Sequence, residues 1–372
     1  MKKIIILAAL LVIIVLILGL ANTKNSSSEV KVGAILMLTG DLSEVGQEMQ
    51  RGIDLAVNEI NSAGGIEGKK IRVIYEYQGF MEKTKIVSAV QKMINIDKVD
   101  FIFLDTVEAV KPVAPILQES KTPTLVLWDD NNYLRTCGDY IVGTGFSTEK
   151  TGETMGEFMY GKGVRTMAIV SSIDEWAEIV STSAKSKFEN LGGKVVFFDR
   201  MSATETDFRA PLKKIKDNNI SGIILPLIAS SPVLFLKQAK ELDVNVPMIT
   251  GDGFNDSTLA AAGPTAEGLY FTNVYAEQNP ILEKALAQYK KTYSNEPALS
   301  VFMALGYDGV LTIKQTVLES KNASKEANKN AVYTISNLPL SSGINLTINS
   351  RRENNRSEIV YKVENGKIIP AE

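Results

Sequence analysis

From residue 31 onward, short β-branched runs alternate with stretches that carry apolar residues at helical spacing. This alternation restricts the chain more than any other feature. Nearly continuous apolar strands separated by amphipathic helices bury both faces only in a parallel sheet with helices on each side. Residues 31–38 read as a buried strand. In residues 46–63, Met49, Ile53, Ala56, Val57 and Ile60 share one helical face, and Gly64-Gly65 stops the helix. Residues 71–77 form the next strand. Ile86, Val87, Val90, Met93 and Ile94 stripe another helix, and residues 101–104 and 124–128 supply further strands. The fold class is α/β.

The same order then recurs. A strand at 166–170 is followed by a helix to Leu191, Gly192-Gly193, a strand at 194–198, and strands near Ile223 and Met248. Residues 123–128 followed by Asp129-Asp130 are echoed by residues 246–250 followed by Gly251-Asp252-Gly253. Several landmarks in one order indicate a duplicated lobe. Residues 279–319 read as helical, and residues 344–370 as strand-rich, with turns at Asn354-Asn355 and Asn365-Gly366. Two Rossmann-like lobes sharing a cleft are expected.

Composition removes several functions. With 372 residues, 45% of them hydrophobic, the chain can bury two cores. Lys plus Arg number 40 against 43 Asp plus Glu, so there is no basic excess to neutralise phosphates and nucleic acid is not an expected partner. The absence of histidine removes the commonest proton carrier and metal ligand. Cys137, the single cysteine, permits no internal disulfide, CxxC pair or zinc cluster. Neither a cofactor nor a metal is expected. The glycines between 64 and 68 fall one residue short of phosphate-loop spacing, and Gly161-Lys162-Gly163 precedes a strand instead of following one, so both read as turns.

Met1, Lys2 and Lys3 precede an apolar run over residues 4–21, and residues 22–29 are polar and serine-rich. This is an export signal. Small residues in Gly19-Leu20-Ala21 favour cleavage after Ala21, while a length close to the ~20 residues that span a bilayer supports retention as an anchor. Both readings deliver the remainder outside the cytoplasm, to the periplasm or cell surface.

Landmarks spread along the chain carry a family resemblance. They are the strand from Val32 to Leu38 running into Thr39-Gly40, Gly46 with Gly52 and Ala56, and Asn61-Ser62-Ala63-Gly64-Gly65-Ile66-Glu67-Gly68-Lys69. Further on come Lys194-Val195-Val196-Phe197-Phe198-Asp199, Asp207-Phe208, Gly251-Asp252-Gly253, Ala266-Glu267-Gly268-Leu269 and Gly306-Tyr307-Asp308. In this order and spacing they resemble the type I periplasmic solute-binding proteins of the Leu/Ile/Val-binding (branched-chain amino acid) family, the receptors of ABC transporters. The resemblance implies a chain that crosses three times between its lobes. It places residues 1–29 as signal or anchor plus linker, 30–146 with 278–338 as lobe 1, and 147–277 with 339–372 as lobe 2. It implies a monomeric, non-enzymatic receptor that traps a small solute by lobe closure and passes it to an ABC permease in the membrane.

Site residues follow from the resemblance one at a time. The family holds a ligand carboxylate on first-lobe hydroxyls and amides, at positions that here read Asp105-Thr106-Val107 and Trp128-Asp129-Asp130. Thr106 replaces the serine hydroxyl, but the Trp-Asp-Asp segment departs from the pattern, and an anionic loop is a poor cradle for a carboxylate. Asp252 matches the acid that holds the ligand ammonium, Trp176 matches a second-lobe tyrosine, and Phe302 matches a pocket aromatic. A second tyrosine, near residues 228–230, is absent. Trp128, Trp176, Asp129, Asp130 and Asp252 together suggest an aromatic and acidic box for an amine, a quaternary ammonium compound or another cationic or amino-acid-like solute. The competing reading of residues 129–132 is a solvated turn and helix cap, with Trp128 packed on the core. A membrane-anchored sensor that signals to a partner protein is the alternative function, motivated by the N-terminal apolar run.

Overall fold

The computed structural model describes residues 29–40, 42–78, 82–202, 204–228, 230–273 and 279–371. The expected export signal or anchor lies outside these residues. Among the described residues no helix is long and apolar enough to cross a membrane.

The chain begins with β1 (Glu29–Met37), α1 (Ser43–Ser62), β2 (Lys70–Gln78), α2 (Lys83–Lys92), β3 (Phe101–Leu104), α3 (Val107–Val110), α4 (Ala114–Glu119), β4 (Thr124–Val126), β5 (Asp129–Asp130), α5 (Asn132–Thr136) and β6 (Ile141–Gly143). The first sheet runs β2-β1-β3-β4-β6 with every pair parallel. Its central strand β3 is buried along its whole length, as the unbroken apolar run Phe-Ile-Phe-Leu requires. One side of the sheet packs Met49, Ile53 and Ala56 of α1, the other Ile86 and Val90 of α2.

β7 (Phe146–Ser147) pairs with β5 and carries the chain into the second lobe. That lobe contains α6 (Thr148–Gly161), β8 (Thr166–Ser172), α7 (Glu175–Asn190), β9 (Lys194–Met201), α8 (Arg209–Asp217), β10 (Gly222–Leu225), α9 (Ser231–Glu241), β11 (Met248–Thr250), α10 (Asp256–Ala262) and β12 (Tyr270–Asn273). Residues 274–278 lie outside the described residues. α11 (Pro280–Tyr293), α12 (Ser300–Ser320) and α13 (Lys325–Val332) then cover the first lobe, where Tyr289, Met303, Tyr307 and Val332 enter its core. A last crossing delivers β13 (Ile359–Glu364) and β14 (Lys367–Pro370), which extend the second sheet to β14-β13-β12-β11-β10-β8-β9. β13 and β14 form an antiparallel hairpin whose turn residues, Asn365 and Gly366, both have positive φ, the geometry an Asn-Gly turn supplies.

One boundary differs from expectation. Leu340, Leu346 and Ile348 lie in the first-lobe core, so residues 339–348, assigned from sequence to lobe 2, pack on lobe 1. Residues 344–358 were also expected to be strand-rich, but they make only bridges, Leu338 with Leu346 and Ile348 with Asn354. The polar run over 349–355 has no apolar face to bury in a sheet.

Candidate functional cleft

A cavity of about 210 Å³ opens between the lobes, lined by Thr106, Trp128, Asp129 and Phe302 from the first and Trp176 and Asp252 from the second. Six of the seven residues singled out from sequence therefore meet in one place. Each stands near a strand or helix terminus: Thr106, Trp128 and Asp252 follow strands, Asp129 opens β5, and Trp176 and Phe302 lie in first turns of helices. Thr106 follows β3 and caps α3, its Oγ1 accepting from Ala109 N at 3.4 Å. Buried Asp105 fixes this turn by accepting from Met37 N (2.8 Å) and Thr106 N (2.9 Å). Trp128 follows β4 and meets Phe302 of α12 edge to face, with ring centroids 4.5 Å apart. Asp252 follows β11, and its carbonyl accepts from Asn273 Nδ2 at 3.3 Å. Trp176 sits in the first turn of α7 with its ring over Gly251, where a Cβ would lie 2.5 Å from the indole. Only glycine admits that approach. Carboxyl ends of strands in two facing sheets are where open α/β folds collect ligands.

The seventh residue, Asp130, does not reach the cavity. Successive strand residues point to opposite faces, so in β5 only Asp129 faces the solute space. Asp130 is turned inward, 1% exposed, and accepts from Arg135 Nη2 at 2.6 Å and Asn354 Nδ2 at 3.1 Å. The cap reading of the neighbouring residues is correct for Asn131, which accepts from Leu134 N and starts α5.

The walls are acidic. Glu44, Glu108 and Asp174 join Asp129 and Asp252, and among the described lining residues there is no lysine or arginine. Reading from sequence missed these three. Asp174 was detectable as the cap of α7, since it stands just before a helical stretch and accepts from Ala177 N at 2.9 Å. Nothing local distinguishes Glu44 or Glu108 from ordinary surface acids.

Among the described residues, two of the contacts that join the lobes lie beside the cavity. Trp128 Nε1 donates across the cleft to Asp252 Oδ2 at 2.6 Å. Lys111, one turn beyond Glu108, pairs with Glu175 at the start of α7. Burial pushes Asp252 above the ordinary carboxylate range, against the stabilising Trp128 hydrogen bond. Burial also holds Asp129 well above that range, opposed by a hydrogen bond from Val107 N (2.8 Å) and reinforced by the charge of Asp252. Behind Asp252, buried Glu358 is likewise raised, by burial first and by Asp252 next.

A hinge network links the crossing segments. Arg356 is 1% exposed, its guanidinium stacks on Phe146 at 4.4 Å, and Nη2 reaches Asp308 Oδ2 at 3.3 Å. Asp308 accepts from Ser341 N and Oγ, each at 2.6 Å. Asn354 Nδ2 donates to the carbonyls of Gly143 and Gly145, both at 3.0 Å. The first and third crossings are thus tied together and to α12.

A pair of parallel-sheet lobes, joined by crossing segments and facing each other across a lined cavity, defines a receptor that holds a small solute. The protein-family model described as "Periplasmic binding protein" matches residues 29–367, and the chain belongs to that family, as a type I member of its branched-chain amino acid group. It is 23% identical over 324 residues to the "Leucine-, isoleucine-, valine-, threonine-, and alanine-binding protein" of Pseudomonas aeruginosa, covering 83% of each chain. It is 26% identical over 370 residues to the Leu/Ile/Val-binding protein BraC3 of Rhizobium johnstonii, covering 96% of this chain and 98% of the relative. Among solved structures, it is similar to the leucine binding protein LivK of Thermotoga maritima (TM-score 0.82, 25% identity, 92% and 98% of the two chains). A solute binding protein of an ABC transporter from R. palustris, in complex with 4-hydroxybenzoate, is as similar (TM-score 0.83, 25% identity, 92% and 96%). These are substrate-binding proteins, not enzymes, and the chain is a solute-binding protein of the ABC-transporter kind, of a family exported to the periplasm.

Proposed function

We propose that this receptor delivers a small organic cation to its ABC permease. The observation that carries the reading is the composition of the cavity wall: five carboxylates and three aromatic rings, with no basic side chain among the described lining residues. A desolvated cation gains about 2 kcal/mol over an aromatic face, and carboxylates supply its counter-charge. A carboxylate-bearing solute fares poorly. Asp129 already accepts from the backbone N–H of Val107, so a free amino acid would set its own carboxylate against an occupied donor and a like charge. Unchanged specificity for leucine, isoleucine or valine, or for an aromatic acid, is therefore the weaker reading.

Contacts from both lobes supply the differential affinity that closure needs. The test is a thermal-shift panel of amines, quaternary ammonium compounds, betaines, amino acids and aromatic acids. At 100 times its dissociation constant a ligand stabilises by about 2.7 kcal/mol, so an amine that binds raises Tm clearly. Stabilisation by leucine or benzoate, with none by any amine, would overturn the proposal.

A further inference from the structure

We infer that the cargo carries two positively charged groups, as an α,ω-diamine does; this rests on the cationic reading above. The cavity acids are not scattered. Four of the five form two pairs, and each pair takes one member from each lobe, with Glu44 of the first lobe outside both. Asp129 follows β4 in the first lobe and faces Asp252, which follows β11 in the second. Glu108 on α3 of the first lobe faces Asp174, the cap of α7 in the second.

Lys111 locates the second pair. It stands 3.5 Å from Glu108 in its own lobe and pairs across the cleft with Glu175, the residue after Asp174. Lys111 thus sets one ammonium against two carboxylates, Glu108 and Glu175, beside Asp174, which leaves this end of the cleft negative. Asp174 Oδ1 is used by the helix cap, while Oδ2 is buried with no hydrogen-bond partner among the described residues. Electrostatics repeat the pairing. After burial, the charge that raises Asp129 most is that of Asp252, and the charge that raises Asp174 is that of Glu108.

Closing the lobes brings both like-charged pairs together, which disfavours the closed form on Coulombic grounds. One ammonium seated in each pair reverses the sign at both places. A solute with a single cation relieves only one repulsion. Trp128, Trp176 and Phe302 line the same space and provide an apolar wall for the methylene chain between two ammonium groups.

The experiment is isothermal titration of the intact protein at low ionic strength with 1,4-diaminobutane and 1,5-diaminopentane, each against butylamine and pentylamine. The diamines are expected to bind about 30-fold tighter than the matched monoamines, the worth of a charge-assisted hydrogen bond in a partly buried site. In Asp174→Asn, which keeps a good helix cap, and in Glu108→Gln, that ratio is expected to fall severalfold. Equal affinities for diamines and monoamines overturn the inference while leaving the cationic reading intact. A diamine preference that survives both substitutions overturns the assignment to this pair. Binding of neither amine class removes the inference together with the reading beneath it.

Discussion

At the scale of single residues, Trp128 and Asp252 matter most, because their hydrogen bond is a direct link between lobes. Trp128→Phe keeps the edge-to-face packing on Phe302 but removes the donor. A hydrogen bond to a charged group contributes about 1.5–3 kcal/mol, so the affinity for a cationic solute should fall by about 10- to 100-fold, read by titration. With Trp128 and Trp176 both in the cavity wall, the solute should also change intrinsic fluorescence, and a Trp176→Phe variant that keeps the whole signal would contradict its placement.

The buried acids predict opposite pH dependences for folding and for binding. Asp129, Asp252 and Glu358 are raised by burial, so the folded state binds protons that the unfolded state releases. Stability of the ligand-free protein should therefore rise as pH falls from 8 through these raised values toward ordinary carboxylate values near ~4. Glu59, Asp139 and Glu353 are lowered, and they withdraw stability only below that window. In Glu59 the lowering comes from Lys284 and Tyr307 and prevails over burial; in Asp139 it comes chiefly from Lys329, and in Glu353 from Asn349. Binding of a cation needs the ionised acids, so the Tm shift it produces should shrink over the same fall in pH. A free-protein Tm that drops steadily from pH 8 to 5 would contradict the burial of this group.

Among elements, α1 and α12 show how a helix pair is specified. A Cβ on Gly52 would lie 1.9 Å from the carbonyl oxygen of Met303, and one on Gly306 would lie 2.1 Å from that of Met49. The two glycines let the backbones touch, and no rotamer change can relieve the clash. Gly52→Ala, favourable for an isolated helix, should instead destabilise the protein by about 1–3 kcal/mol in a denaturant titration. Most elements were readable from periodicity, since their apolar residues face a sheet on one side and water on the other. The segment from 344 to 358 was misread for a reason that is also physical. Its landmarks are turn residues, and turns limit where a strand can end without showing that a strand lies between them. The same limit explains Asp130. Resemblance placed the Asp-Asp pair beside the cleft, but the side each member faces depends on the short pairing of β5 with β7.

On the scale of the whole molecule, the proposed function needs a balance between open and closed lobes, and the hinge network would bear on it. Asp308→Asn leaves Arg356 buried without its counter-charge, which should cost about 3–5 kcal/mol and lower Tm accordingly. The Lys111–Glu175 contact acts differently. It is partly exposed and spans the cleft, so Lys111→Ala should leave Tm within about 1 kcal/mol of the parent. The same substitution should expand the ligand-free protein in small-angle scattering.

Sequence alone determined the α/β class and the duplicated lobes, because strand periodicity is a local property of the chain, and its resemblance to a known family pointed to six of the residues that line the cavity. Tertiary structure decided which acids face each other across the cleft, which one is neutralised inside the hinge, and where the last crossing begins. Those outcomes depend on contacts between residues as far apart as Trp128 and Asp252, or Arg356 and Thr144, whose mutual approach no local pattern encodes.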